Sequence, residues 1–344
     1  IARPWELKKF ESIDLMDAVG SNVRIDTKAD KIMRVLPRIN EFINEEWISD
    51  KARFAYDGLL SQRLDKGYIK KNNKLLEVNN NELVENFSEK INSSKNIAAL
   101  IGNILDCETI YAFKLFLDNL DKKVAYDCRQ ENTFLIPGDR SSYLFNSQIN
   151  GIDECDLCLL IGSNPKIEAS ILNSRIRKRF MNSDNEFIIG YIGESINLNY
   201  KFKNLGESPD VLKKILDGKH KFSEYLNKSK KPMIIIGQGA LSRQDSEEIF
   251  FTSRSIYEKY SDDAEWFGFN VLQTYAGRAG AYDINFFKNF NNKNNLNFEK
   301  SIASENIDVL ILFAADEIDF NKINKNSYII YFGHHGDKTA SIAD

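Results

Sequence analysis

The chain has 344 residues, 42% of them apolar and 28% charged, with a net charge of −4. That is the make-up of a folded globular chain with room for two domains, not of a disordered one. So small a net charge excludes a charge-driven nucleic-acid partner, and no run approaches the ~20 apolar residues that a direct membrane span needs. The start, IARPWELKKF, has no apolar stretch of the signal-peptide kind and is soon followed by a second acid, Glu11 after Glu6. Cys107, Cys128, Cys155 and Cys158 lack the spacing of a disulfide scaffold, which fits a reducing compartment.

Residues 1–57 read as a small β-rich module. VRIDT and IMRVLPR alternate apolar and polar residues as half-buried strands do, and TKAD between them suits a hairpin turn. Trp47, Phe54 and Tyr56 are the expected core of this module. After Gly58 the pattern changes to uniform apolar runs that mostly end in glycine: IAALIG, DLCLLIG, EFIIGYIG, PMIIIG, DVLILFA and SYIIYFG. Strands buried on both faces look like this, so a parallel sheet covered by helices is expected. Helical segments lie between them: NELVENFSEKIN, CETIYAFKLFLDNL, KIEASILNSRIRKRFM, SPDVLKKILDG and SEEIFFTSRSIYEKYS. In SPDVLKKILDG, Ser208 is the expected N-cap, Pro209 the first helical residue and Gly218 the stop. The fold class is therefore α/β: the β-rich module, then doubly wound lobes over 58–220 and 230–344, divided near GKHKFSEYLNKSKK. NFNNKNNLNF (289–298) reads as a surface loop.

Several motifs carry candidate chemistry. Gly162-Ser163-Asn164-Pro165 joins a strand to a helix, where free N–H groups and the helix dipole favour an anion; the bland reading is a structural βα turn. QGAL after PMIIIG is a weaker case, and no G-x-G-x-x-G is present. Cys155 and Cys158 form a C-x-x-C, but i and i+3 of a strand face opposite ways, so core packing is expected. Arg175, Arg177, Lys178 and Arg179 read as a solvated helix face or a docking surface. His334 and His335, in GHHGD, should diverge from a strand end and pack in a loop.

Particular stretches then resemble one family. RPWELKKFESIDLMDAVGSNVRID and IMRVLPRINEFINEEWISDKARFAYDGLLSQRL are similar to the large iron–sulfur subunit of respiratory complex I (NADH:ubiquinone oxidoreductase), in its molybdopterin-oxidoreductase-like region. The likeness resumes at INGIDECDLCLLIGSNPKIEASILNSRIRKRF, NLGESPDVLKKI, KKPMIIIGQGAL and YIIYFGHHGDKTASIAD, and is weakest over 261–305. In that family a C-x2-C-x3-C-x27-C set holds a tetranuclear iron–sulfur cluster. Here the four positions are Asp14, Asp17, Ser21 and Ser49, which replace thiolates poorly. They read as lost cluster ligands refilled by packing, or as a hard-cation site, for which calcium would want more oxygen ligands. Gly162, Asn164 and Pro165 then become a vestigial dinucleotide turn, and Cys128 a remote metal-ligand candidate.

The resemblance implies a structural and assembly role in the peripheral arm, with no catalytic residue, no metal and no cofactor in this stretch. Iron–sulfur clusters would lie in a preceding N-terminal region of ferredoxin-like fold or in partner subunits. Partners would be other peripheral-arm subunits, and the place the matrix side of the mitochondrial inner membrane or the cytoplasmic side of a bacterial plasma membrane. The family also continues past Asp344, so the sequence reads as a fragment, a split subunit or a shortened variant with its second lobe truncated. The alternatives are an active molybdopterin-dependent oxidoreductase, needing a ligand such as Cys128, and a free-standing nucleotide-binding enzyme.

Overall fold

Strands β1 (Lys8–Ile13), β2 (Asn22–Lys28) and β3 (Lys31–Pro37) form an antiparallel sheet in that order, with β2 and β3 joined by the tight turn Ala29-Asp30. The core beneath them is Val23, Val35 and Ile48, with Ile25, Ile32, Ala52 and Tyr56 packed against it. This corrects the expected aromatic core: Trp47 and Phe54 are exposed, because the pleat turns β-branched residues inward and leaves these two on the segment around the short helix α1 (Asp50–Phe54).

In the computed structural model the described residues are all but 1, 130–132, 184–185, 289–306, 317, 320 and 322. They divide into two units, Ile1–Tyr56 with Thr133–Ala279, and Asp57–Asn132 with Gly280–Asp344. The contiguous lobes expected over 58–220 and 230–344 are thus replaced by interleaved ones. The reason is strand pairing: β8 (Leu157–Ile161) pairs with β11 (Pro232–Gly237), across the expected divide. The Asn/Lys-rich run 289–298 lies outside the described residues.

The second unit has the hairpin β4 (Gly67–Lys71) and β5 (Lys74–Val78), then helix α2 (Asn80–Ser93). Its sheet contains β6 (Asn96–Ile101) and β7 (Lys123–Asp127), with α3 (Cys107–Asp118) between them in sequence. β14 (Val309–Phe313) and β15 (Tyr328–Phe332) extend it in parallel, while β13 (Phe287–Lys288) runs antiparallel to β7, giving the order β13-β7-β6-β14-β15.

The first unit carries the other sheet, β10-β9-β8-β11-β12, parallel throughout. Its remaining strands are β9 (Ile188–Ile192), β10 (Lys203–Gly206) and β12 (Phe269–Leu272). Alternate residues of β8 enter separate cores: Cys158 and Leu160 face one, Leu157, Leu159 and Ile161 the other. The predicted helix 166–181 is broken at Ala169 (φ −150°, ψ 70°) into α4 (Pro165–Glu168) and α5 (Ser170–Met181). Helix α5 covers the first core with Ile171, Leu172 and Ile176. The second is covered by α6 (Asp210–Leu216), α7 (Phe222–Leu226), α8 (Gln238–Leu241) and α9 (Ser246–Tyr260). The segment expected to divide two lobes, 218–231, therefore belongs to this core, with Phe222 seated on it.

The β-rich module is fastened to this lobe. Val19, in the β1–β2 loop, is buried in the same core as Leu172 and Ile176. Arg175, expected on a solvated face, is 2% exposed. Its Nε donates to the Ile43 carbonyl at 2.9 Å, Nη1 to Asp153 at 2.6 Å, and Nη2 to the Glu41 carbonyl. Arg177 and Lys178 keep to the exposed face. Arg175→Ala leaves buried carbonyls without donors and is expected to cost about 2–4 kcal/mol. Urea unfolding of the two proteins measures it.

Candidate functional site

The loop after β1 closes when the Asp14 N–H donates to the Ser21 carbonyl at 2.8 Å. Inside it, Asp14 Oδ1 accepts from the Met16 N–H and Asp17 Oδ1 from the Val19 N–H, each at 2.9 Å. Ser49 caps α1 by accepting from the Ala52 N–H at 3.1 Å. Asn44, 1% exposed, brings the two segments together. Its Oδ1 accepts from the Asn22 N–H at 2.9 Å, and its Nδ2 donates to the carbonyls of Arg38 at 3.1 Å and Trp47 at 3.0 Å. No sequence signal marked Asn44, since its bonds join residues far apart in the chain.

The four positions Asp14, Asp17, Ser21 and Ser49 thus gather in one buried place, exposed by no more than 7%. Burial raises the pKa of Asp14 above the usual carboxylate value, against the Met16 N–H, the Ser49 hydroxyl and the Lys51 charge. Burial, with the Asp14 charge beside it, pushes Asp17 up to about 6. Asp14 Oδ2 and Ser21 Oγ are buried with no hydrogen-bond partner. A carboxyl whose pKa rises on folding binds its proton more tightly in the folded chain. Stability then falls as pH climbs from Asp17's ordinary value of 3.8 toward about 6, and the cost is fully present above that. In chelator-treated protein the cost is expected to be about 2–3 kcal/mol, and Asp17→Asn should flatten that part of the profile. Denaturant unfolding between about pH 4 and about pH 7 reads it.

Gly162, Asn164 and Pro165 lie elsewhere in the same unit, where the order of strands reverses between β8 and β11. A crevice of about 420 Å³ opens there, at the carboxyl ends of these strands. Gly162 has φ +56°, and a Cβ on it would lie 2.7 Å from the Ala240 nitrogen. The anion position at the turn is filled from within. Glu168 accepts from the Asn164 N–H at 3.0 Å and from the Ser163 hydroxyl at 2.7 Å. Glu194 and Glu207 also line the crevice, and Arg243 is held by Asp245 at 2.7 and 2.9 Å. This lining repels a phosphate. Gly162→Ala forces both a strained φ and a clash, an expected loss of about 2–4 kcal/mol, to be read from the urea midpoint.

The other candidates are structural in their surroundings. Cys155 and Cys158 share one core, contrary to the expected opposite faces, because β8 begins at Leu157 and Cys155 belongs to the preceding turn. Burial raises both thiols, Cys158 to about 12. Cys128 is buried just after β7. The His334–His335 loop packs on its own unit: the Leu64 N–H donates to the His334 carbonyl, and His335 Nε2 meets the Gly58 carbonyl at 2.9 Å. Among the described residues, no group of three or more His, Cys, Asp or Glu side chains is arranged to hold a metal.

Comparison with known proteins agrees with this architecture. Residues 63–344 match the molybdopterin oxidoreductase family, and the chain belongs to it. Residues 7–57 match the NADH-ubiquinone oxidoreductase NDSU1/NuoG-like 4Fe-4S domain. The chain is 41% identical over 349 residues to an NADH-quinone oxidoreductase subunit of Rickettsia bellii, covering all of this chain and 49% of that protein. It is 41% identical to the NADH-ubiquinone oxidoreductase 75 kDa subunit of Reclinomonas americana, and 39% to the mitochondrial 78 kDa subunit of Candida albicans. It covers 51% and 46% of those two and is itself fully covered, so it spans about half the length of these relatives. A formyltransferase/hydrolase complex from Methylorubrum extorquens shares the fold, with a TM-score of 0.54 at 13% identity over 77% of this chain and 81% of that one.

The match over residues 7–57 corrects one expectation. A stretch with no cofactor region does not hold, because these residues form a domain of a 4Fe-4S cluster-binding family. The donors that the fold gathers at the four positions are carboxylate and hydroxyl oxygens, and all four cysteines of the chain lie beyond residue 100. These oxygens do not fit a thiolate-held cluster.

Proposed function

We propose that this chain is a structural and assembly part of the peripheral arm of respiratory complex I, supporting electron passage from NADH to quinone through its contacts with neighbouring subunits. Its place would be the matrix side of the mitochondrial inner membrane, or the cytoplasmic side in a bacterium. The complex I names of relatives at about 40% identity support this reading. Among the described residues no helix is long and apolar enough to cross a membrane, so in this reading contact with the membrane arm comes through partners.

The observation that carries the assembly role is the surface of the β-rich module. Trp5, Phe10, Phe42, Trp47 and Phe54 are all more than half exposed there. Strand β1 is an edge strand with all but one of its residues exposed. So many exposed aromatic side chains on one small module mark an interaction surface, and an open strand edge adds unpaired backbone groups to it.

The test is mass spectrometry of native-gel slices from gently solubilised source membranes. Peptides of this chain should co-migrate with NADH dehydrogenase activity. The double variant Phe42→Glu/Trp47→Glu should fold and yet lose most of that co-migration. Migration of the unaltered chain as a small species would sink the reading and send the protein to molybdenum analysis.

A further inference from the structure

Two features of the loop between β1 and β2 are unbalanced. Asp14 and Asp17 are each 4% exposed and feel each other's charge. Burying carboxylates together is costly unless a positive charge accompanies them. Lys51 is the cation that acts on both, but its Nζ is turned to the Ile167 carbonyl at 3.2 Å. Second, Asp14 Oδ2 and Ser21 Oγ are shielded from solvent with no hydrogen-bond partner, while backbone N–H groups satisfy Oδ1 of both aspartates and the Ser49 hydroxyl stands beside the Asp14 carboxyl.

We infer that Asp14, Asp17, Ser21 and Ser49 form a binding site for a hard divalent cation, Ca2+. The cation supplies the charge that the carboxylates lack and a partner for the two orphaned oxygens. The two carboxylates and two hydroxyls offer oxygen only, which selects a hard ion over a soft one. The four side chains carry six oxygens, of which Asp14 Oδ1, Asp17 Oδ1 and Ser49 Oγ also accept backbone N–H groups, so calcium's larger oxygen set is completed by carbonyls of the same loop. Mg2+ is disfavoured because it keeps several waters, and donors so deeply buried leave them little access.

The experiment strips the whole chain with chelator, then titrates it with Ca2+ by calorimetry and thermal unfolding, with Mg2+ and K+ as comparisons. Ca2+ should bind saturably and raise the unfolding temperature, and Mg2+ should do so only weakly. Asp14→Asn/Asp17→Asn should weaken Ca2+ binding by about tenfold or more. In chelator, the same variant should unfold no lower than the unaltered chain, because a buried repulsion has been removed. Purely structural carboxylates would instead give a less stable variant. Glu224→Gln, on the exposed face of α7, should keep the response. The inference is overturned if the unaltered chain shows no saturable heat and no thermal shift up to about 10 mM Ca2+, above the weak end of protein calcium sites; a cavity filled by water gives that result. It is equally overturned if the double variant responds as the unaltered chain does.

Discussion

The first unit depends on one buried guanidinium. Arg175 rises from α5, which is itself fixed to the sheet by Leu172 and Ile176, and holds the carbonyls of Glu41 and Ile43 in the β-rich module. A lysine could not do this, because the planar fork meets two carbonyls and the Asp153 carboxylate together. Asn44 lies next to those carbonyls and ties the same segment back to Asn22, Arg38 and Trp47. Where Ser49 sits relative to Asp14 therefore follows from a contact made on a different element.

Much of this architecture was legible in the sequence. PMIIIG and DLCLLIG read as strands buried on both faces, and their alternate residues do fill two separate cores. In SPDVLKKILDG the stop was readable, since Gly218 adopts φ +75° just past the helix, whereas α6 starts one residue later than expected, at Asp210, with Pro209 and not Ser208 in the N-cap place. What was not legible depended on distant partners. The order of strands could not be read, because uniform apolar runs carry no record of which neighbour each will choose. Arg175 looked solvated by its charge, although its spacing from Leu172 and Ile176 already placed it on the apolar stripe. Trp47 and Phe54 looked like core by size alone.

The candidate site was legible as four positions and not as a chemical environment. Spacing located Asp14, Asp17, Ser21 and Ser49, but their burial and the two unbonded oxygens emerge only when Asn44 and Val19 draw the loop inward. The turn at Gly162 is the opposite case. There the backbone has the form that admits an anion, and Glu168 occupies it with the chain's own carboxylate. In both places the frame of a binding site is present with side chains of altered chemistry, and fold alone would have misread what each can hold.

The interleaving of the two units bears on how the chain comes to fold during synthesis. The first unit's sheet is complete once Leu272 has emerged, all of its strands lying earlier in the chain. The other sheet cannot close then, because β6 waits for β14: Ile97 pairs with Val309. At ~5–20 residues per second, the wait between the synthesis of β6 and that of β14 is roughly 10–40 s, during which the inner edge of β6 has no strand to bond. A nascent chain in this state presents Ile97, Ala99 and Ile101 along an edge that stays open to wrong pairing until β14 arrives.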